Sequence, residues 1–373
     1  MAFGGLRPGS GRRLYASAVA AAWGTAGTLT HVLEHDCSSP RLEISNNQLS
    51  DREYASGNTG MAERKRIVVD KSMRQDFTLW ASLEALGLFG WRAFGGVDTK
   101  SGSGPYLHTG PFPNAPFYAK AITLEEHLYG ATADTDVDVQ FVSVAVDRFS
   151  FSWGSTGFAK ITVGLIGSGE TAAAETRTEA SMTVPSYFIP ASKIRVRLQA
   201  AASEGKSPWD GTQSVGATAG TFPALVGTEV DISQYVESGE FVIDNRSKTD
   251  AQTGTSTAAG VYLAAPFVDE QEVFVNLKMK HGTDIEGVLR SHATRTGAAQ
   301  KEYAVIVDIA GSLANYGEQI TVPLAVLTEN PGGGSGPGLQ VYDYSFLARK
   351  TYAGTDNNVA YMWLKNGDDY DYC

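Results

Sequence analysis

DVQFVSVAVDRFSFSWGSTGFAKITVGLIGSG, residues 138–169, decides the fold class. Val142, Val144 and Val146 stand two apart, so an extended chain puts them on one face. Phe149, Phe151 and Trp153 repeat that spacing. Gly154-Ser155-Thr156-Gly157 then supplies turn residues, and Ala159, Ile161, Val163 and Leu165 alternate again. Period-two alternation around a Gly-rich turn predicts a β-hairpin. A similar layout occupies 339–367, where Tyr342, Tyr344 and Phe346 precede a Gly-Asp-Asn turn and Val359, Tyr361 and Trp363 follow it. One hairpin used twice, about 200 residues apart, predicts an internal duplication.

Working outward, RLEISN (41–46) reads as a strand, and the polar stretch 47–63 reads as a long loop. RIVVDKSMRQDFTLWAS (66–82) carries strand-like halves, and LEALGLFGW (83–91) predicts a short apolar helix. Pro105, Pro111, Pro113 and Pro116 mark 94–116 as a loop. VDISQYVESGEFVIDN (230–245), QEVFVNLKM (271–279), YAVIVDI (303–309) and ITVPLAVL (320–327) read as strands, and PGGGSGPG (331–338) as a flexible loop. The stretch 200–222 is poor in large aliphatic residues and rich in Gly, Ser and Ala. The expected organisation is therefore a β domain over 1–200, a linker over 201–222 and a second β domain over 223–373. The second repeats the first, with EISNN facing VIDN and RIVVDKSMRQDFTLWA facing PFVDEQEVFVNLKM.

A chain of 373 residues has room for two such domains. Its net charge of −11 argues against a protein that grips nucleic acid, which needs clustered Lys and Arg to displace counterions. Like charge instead lets an acidic protein sit beside DNA without adhering. The two cysteines, Cys37 and Cys373, form no disulfide framework and no CxxC site. No apolar run approaches the roughly 20 residues of a spanning helix. ASAVAAAWG (16–24) follows Arg7, Arg12 and Arg13, but its lack of Leu and Ile makes a poor signal-peptide core.

The densest group of metal-ligand types is His31, Glu34, His35, Asp36 and Cys37, in the order HxxEH. On a helix the two histidines would share a face, but the following Ser38-Ser39-Pro40 stops a helix, and no later acidic helix offers a third ligand. The expectation is a polar linker. The Gly-rich stretches at 102–104 and 332–336 lack a strand-loop-helix frame and a following Lys-Ser/Thr. The acidic sets Glu125-Glu126, Asp134/Asp136/Asp138 and Asp368-Asp369 lack EF-hand spacing and read as solvated surface. Asn245-Arg246-Ser247 matches a glycosylation sequon, which carries no weight without a secretory route. No GxSxG elbow is present. No catalytic residue, cofactor or metal is therefore expected.

At the level of whole segments the chain resembles the tail tube (major tail) proteins of long-tailed, non-contractile bacteriophages. The stretches that carry this are GSGRRLYASAVAAAWGT (9–25), RLEISNN with its following loop, MRQDFTLWASLEALGLFGW (73–91) and FSFSWGSTGFAKITVGLIGSGE (149–170). VDISQYVESGEFVIDN and the closing VAYMWLKNGDDY (359–370) are similar in character. The resemblance implies a mainly β fold of two tandem tail-tube-type sandwich or barrel domains, each with a short helix and long loops. It implies no enzymatic activity. Copies would close into homotrimeric rings of pseudo-sixfold symmetry, with hexameric rings as the alternative, and rings would stack into the tube through which DNA leaves the virion. Assembly in the host cytoplasm, a tape measure protein, a tail terminator and tail-tip proteins are the implied setting, without a membrane. Another tail, connector or baseplate component is the alternative function.

Under that resemblance one side of the 138–169 hairpin would face the channel. Ser143, Asp147, Ser150, Ser152, Lys160 and Thr162 are the candidates for it, and acidic residues there would repel DNA. Arg7, Arg12 and Arg13 of the N-terminal arm, with Asp51, Arg52 and Tyr54 of the long loop, are candidates for contacts between rings.

Overall fold

Strands carry most of the chain. The computed structural model describes residues 12–18, 22–33, 42–54, 61–96, 98–113, 115–128, 137–172, 181–185, 187–200, 209, 222, 224–225, 229–249, 265–280, 302–313, 315–328, 341–349, 358–370 and 372, with 46–54, 61–70 and 137 described through the backbone alone. The first strands are β1 (Arg12–Ala16), β2 (His31–Leu33), β3 (Ser45–Tyr54) and β4 (Met61–Trp80). A helix follows in three parts, Leu83–Ala85, a wider π turn at Leu86–Gly90, and Trp91–Phe94. Then come β5 (Thr99–Ser101), β6 (Tyr106–Pro111), β7 (Phe117–Tyr118), β8 (Ile122–Leu128), β9 (Val137–Gly154), β10 (Lys160–Gly167) and β11 (Thr171–Ala172). The remainder is β12 (Ile194–Ala200), β13 (Val230–Asp231), β14 (Val236–Asp244), β15 (Phe267–Val268), β16 (Glu272–Lys280), β17 (Glu302–Ala310), β18 (Gly317–Leu327), β19 (Val341–Ala348) and β20 (Tyr361–Asn366).

The helix is all but dictated by its sequence. Ser82 caps it, its hydroxyl accepting from the Ala85 amide at 3.1 Å, and Gly95 ends it at φ 70°. Every residue from Leu83 to Phe94 is buried, so the helix has no solvent face. It belongs to one continuous core with Phe77 and Leu79 of β4, Phe149 and Phe151 of β9, Phe241 of β14, Val305 of β17 and Leu364 of β20. Among the described residues no helix is long and apolar enough to cross a membrane.

The pairing order has a regularity that the sequence only hinted at. All these pairs are antiparallel. In the first half the chain of neighbours is β2–β1–β8–β9–β10–β4–β3. In the second it is β13–β12–β17–β18–β19–β16–β14. The same steps recur, and β11 on β9 recurs as β20 on β18. Arg12 stands to Ile194, Ile122 to Glu302 and Lys160 to Val341 at about 180 residues. Among the described residues three pairings join the two sets and their flanking strands: β9 with β14, β20 with β6, and the short β15 with β7.

This ordering corrects three expectations. The stretch 339–367 is not a hairpin: β19 pairs with β16 and β18, while β20 pairs with β18 and β6. The counterpart of β9–β10 is β18–β19. Residues 47–63 are not wholly loop, because β3 and β4 form a two-stranded ribbon from Ser45↔Ser72 to Tyr54↔Met61. The segment 94–116 contributes β5 and β6, the latter pairing along all of β20. Of the segment 201–222, Trp209 packs on Tyr361 and Trp363, with ring centroids 4.9 and 5.3 Å away, and the other residues but Phe222 lie outside the described set. Strand β12, ahead of that segment, pairs with β13 and β17 beyond it.

The C-terminal residues are tied in by buried polar contacts. Asp368 receives Nε2 of His31 at 3.0 Å and the hydroxyl of Tyr372. Burial pushes the Asp368 carboxyl up, but the bonds from His31 and Tyr372 outweigh it and hold its pKa below the usual range. His108 meets Asp98 at 2.8 Å beside them. Gly239 marks the closest approach in the sheet, since a Cβ there would lie 2.2 Å from the Trp153 ring. Gly239→Ala therefore has to displace a buried indole. A loss of about 1–3 kcal/mol is expected, read as a lower denaturation midpoint at unchanged slope.

Candidate functional site

Six strands, β4–β10–β9–β14–β16–β19, lie side by side and present one face to the core and the other away from it. The registers align the outward side chains in rows across the sheet. One row is Trp80, Lys160, Ser152, Glu240, Asn276 and Ser345. The next is Thr78, Thr162, Ser150, Val242, Phe274 and Leu347, and a third is Asp76, Gly164, Arg148, Asp244 and Glu272. At about 4.8 Å per strand the face is roughly 24 Å wide.

Its polar groups hold one another. Thr78 and Thr162 hydroxyls are 3.2 Å apart. Ser150 donates to Glu240, Asn276 donates to the other Glu240 oxygen at 3.5 Å, and Ser345 donates to Asn276 at 2.7 Å. The Lys160 ammonium lies 4.8 Å from the Trp80 ring centroid. A shallow depression of about 410 Å³ is lined by polar residues including Ser152, Glu240, Asn276, Lys278 and Asp343 and by Trp153, Leu277 and Tyr344.

The charge on this face is balanced, not acidic. Arg74, Arg148, Lys160, Lys278 and Lys280 stand against Asp76, Glu240, Asp244, Glu272 and Asp343. Arg148 is the register partner of Asp244, and across Gly164 it faces Asp76. Lys278 is the partner of Asp343 and lies 3.8 Å from Glu237. The overall −11 is therefore carried elsewhere.

Four of the six residues expected on one side of the hairpin, Ser150, Ser152, Lys160 and Thr162, share this face. Ser143 and Asp147 do not, and both are bulge residues. Ser143 has φ 57°, is fully buried, and its hydroxyl accepts from the Gly24 amide. It occupies the irregularity where Ile122 opposes Val144 but Leu124 opposes Phe141. Asp147 falls between Arg148, opposite Gly164, and Val146, opposite Leu165. Its carboxylate accepts from the Ser247 amide at 2.9 Å, pinning the turn after β14. The Asp147 bulge also switches the buried set from even to odd numbers, from Val144 and Val146 to Phe149, Phe151 and Trp153. Counting by twos through it fails for that reason.

Sequence reading missed Glu240, Asn276 and Ser345, whose signal is the alternation in EFVID, FVNLKM and YSFLA. Of the inter-ring candidates, Asp51, Arg52 and Tyr54 lie on β3 within the ribbon, and Arg7 is outside the described residues. Arg12 and Arg13 are not part of an arm. They sit in β1 against β8, where Arg12 pairs with the buried Glu126. His31 is on strand β2 and bonded to Asp368, not on a helix, while Glu34, His35 and Cys37 lie outside the described residues. Among the described residues no three His, Cys, Asp or Glu side chains are grouped to hold a metal ion. Compared with protein-family models and with curated proteins, the chain matches none.

Proposed function

We propose that the chain is the tail tube subunit of a long-tailed, non-contractile bacteriophage, a virion protein whose copies close into rings that stack into the conduit for DNA. The observation that carries this reading is the repeated pairing order, together with an unfinished edge at β3. Within the chain β14 pairs with β16 on one side and with β9 on the other. Strand β3 holds the corresponding place in the pairing order of the first set, but it meets β4 over Met61–Ser72, beyond the Met73–Trp80 stretch that pairs with β10, and among the described residues its only partner is β4. An open strand edge is a site for another chain. In the proposed ring, β3 of one copy takes from a neighbour what β14 takes from β9.

Each chain then supplies two tail-tube-type β units, and three chains make a ring of pseudo-sixfold symmetry. Heterologous contacts of this kind close when the rotation suits. Three copies of the six-strand face β4–β10–β9–β14–β16–β19 form the greater part of the ring's wall. The polar six-strand face lines that channel. Glu240 is occupied by hydrogen bonds, and Arg148 and Lys278 stand opposite Asp244 and Asp343, so DNA passes without being gripped. Tape measure, terminator and tail-tip proteins are the partners this role requires.

Purified protein over a rising concentration series should form sedimentable hollow tubes with annular end views in negative stain. Protein that stays monomeric at every concentration, with or without tail-tip initiator complexes, contradicts the proposal.

A further inference from the structure

We infer that residues 366–372 form a separable clasp, a hook whose Tyr372 side chain fills a socket built by the rest of the chain and which closes the seam between the two strand sets. The inference does not rest on the tube reading. Strand β20 ends at Asn366, and among the described residues nothing after it joins a ladder. What holds 367–372 is side-chain chemistry. Asp368 and Tyr372 are 2% and 0% exposed, while Gly367 and Asp369 beside them lie at the surface. The acidic pair expected to be solvated is thus split. Asp369 stays outside, 2.8 Å from the Lys100 ammonium, and Asp368 is turned in.

The socket draws on strands that share no ladder. On β2, Nε2 of His31 donates to Asp368 at 3.0 Å, and the His31 and Tyr370 ring centroids are 5.6 Å apart. On β6, the His108 ring centroid lies 4.8 Å from that of Tyr372, and its Nε2 is 3.1 Å from the Asp368 carbonyl oxygen. Asp98 accepts from the Tyr372 amide at 3.1 Å. The Asp98–His108 contact is made without the hook, so this part of the socket is preformed. The helix supplies room. A Cβ on Gly87 would lie 2.6 Å from Tyr372 Cζ and 2.7 Å from its hydroxyl oxygen, so glycine there leaves the volume that the ring occupies. The Tyr372 hydroxyl donates to Asp368 and accepts from the Asn366 side-chain amide at 2.8 Å. The hook is therefore held as a bound phenol would be, by two buried anchors on a surface segment. Segments with few buried contacts open before the ladders do. Opening frees β2 from β6 while each keeps its own ladder.

Native-state hydrogen exchange of the full chain over low denaturant tests this. The Asp368 and Tyr372 amides are both hydrogen-bonded, to Asn366 and to Asp98. They should exchange through an opening insensitive to denaturant and on the order of tenfold or more as frequent as the one that frees the β10 and β17 amides. Tyr372→Gly should fold with its ladders intact. Its Asp368 amide should exchange roughly tenfold to a hundredfold faster, the scale of losing a hydrogen bond to a charged group. Added p-cresol, the tyrosine side chain as a free molecule, should restore that protection, and toluene, which cannot donate to Asp368, should not. Amides at 368 and 372 that exchange only with those of β10 and β17, at the same denaturant dependence, overturn the clasp. So does a Tyr372→Gly chain that fails to fold. Equal rescue by toluene, or none by p-cresol, overturns the socket as a phenol site.

Discussion

Glu318→Gln should be more stable than the native protein above about pH 8, by an amount approaching ~5 kcal/mol, and should match it near pH 4. Glu318 lies on β18 between Ile309 and Leu364, is buried, and neither carboxyl oxygen has a hydrogen-bond partner. Burial disfavours its charged form and pushes its pKa to about 8 from 4.5. In the unfolded chain the carboxyl titrates at the lower value. Between the two values the folded protein binds the proton and the unfolded chain does not. Stability from this group is therefore complete below about pH 4.5 and is lost as pH rises through 8, at about 1.4 kcal/mol per unit. Denaturant midpoints of both proteins from pH 4 to 9 measure this. The native curve should fall with pH relative to the Gln variant, and parallel curves would show that the carboxyl is solvated or paired.

Asp308→Ala should lose about 3–5 kcal/mol, the range for breaking a buried ion pair from one side. Asp308 on β17 accepts from Arg195 at 2.9 Å and from Arg197 at 2.7 and 2.8 Å, both on β12. The three side chains are at most 8% exposed. Arg197 also meets Glu229, and the Arg195 guanidinium lies 4.9 Å from the Phe222 ring centroid. Removing Asp308 leaves Arg195 buried without its acid and Arg197 with Glu229 alone. Replacing all three together with Glu229 by apolar residues of similar size should be close to neutral, because the buried acids and bases then leave together. Urea unfolding of the single and quadruple variants separates the two cases. A single variant within 1 kcal/mol of native would mean that water reaches the arginines.

What could be read from the residues follows the regularity of the backbone. The hairpin at 138–169 was legible because small and aromatic residues alternate cleanly around a Gly-rich turn, and β9 and β10 pair as expected. The helix was legible from LEALGLFGW, whose apolar residues have no strand alternation. The site was half legible. Ser150, Ser152, Lys160 and Thr162 lie on an unbroken stretch of ladder, whereas Ser143 and Asp147 sit in bulges that composition does not announce. Polar sequence over 47–63 hid the β3–β4 ribbon, since those residues show no period-two alternation to detect. The internal repeat was visible as spacing but misassigned. Tyr342, Tyr344 and Phe346 on β19 look like the opening arm of a hairpin, and only long-range pairing with β16 and β18 shows them to be the counterpart of β10.

In the proposed ring the outward face of β4–β10–β9–β14–β16–β19 lines a channel closed by a second chain on the edge of β3. A helical reconstruction of the assembled protein tests this most directly. It should show three chains per ring, sixfold modulation of the wall, the row from Lys160 to Ser345 turned toward the lumen, and β3 paired to a neighbouring chain. A reconstruction with that row on the outer surface, or with the β3 edge open to solvent, would contradict it.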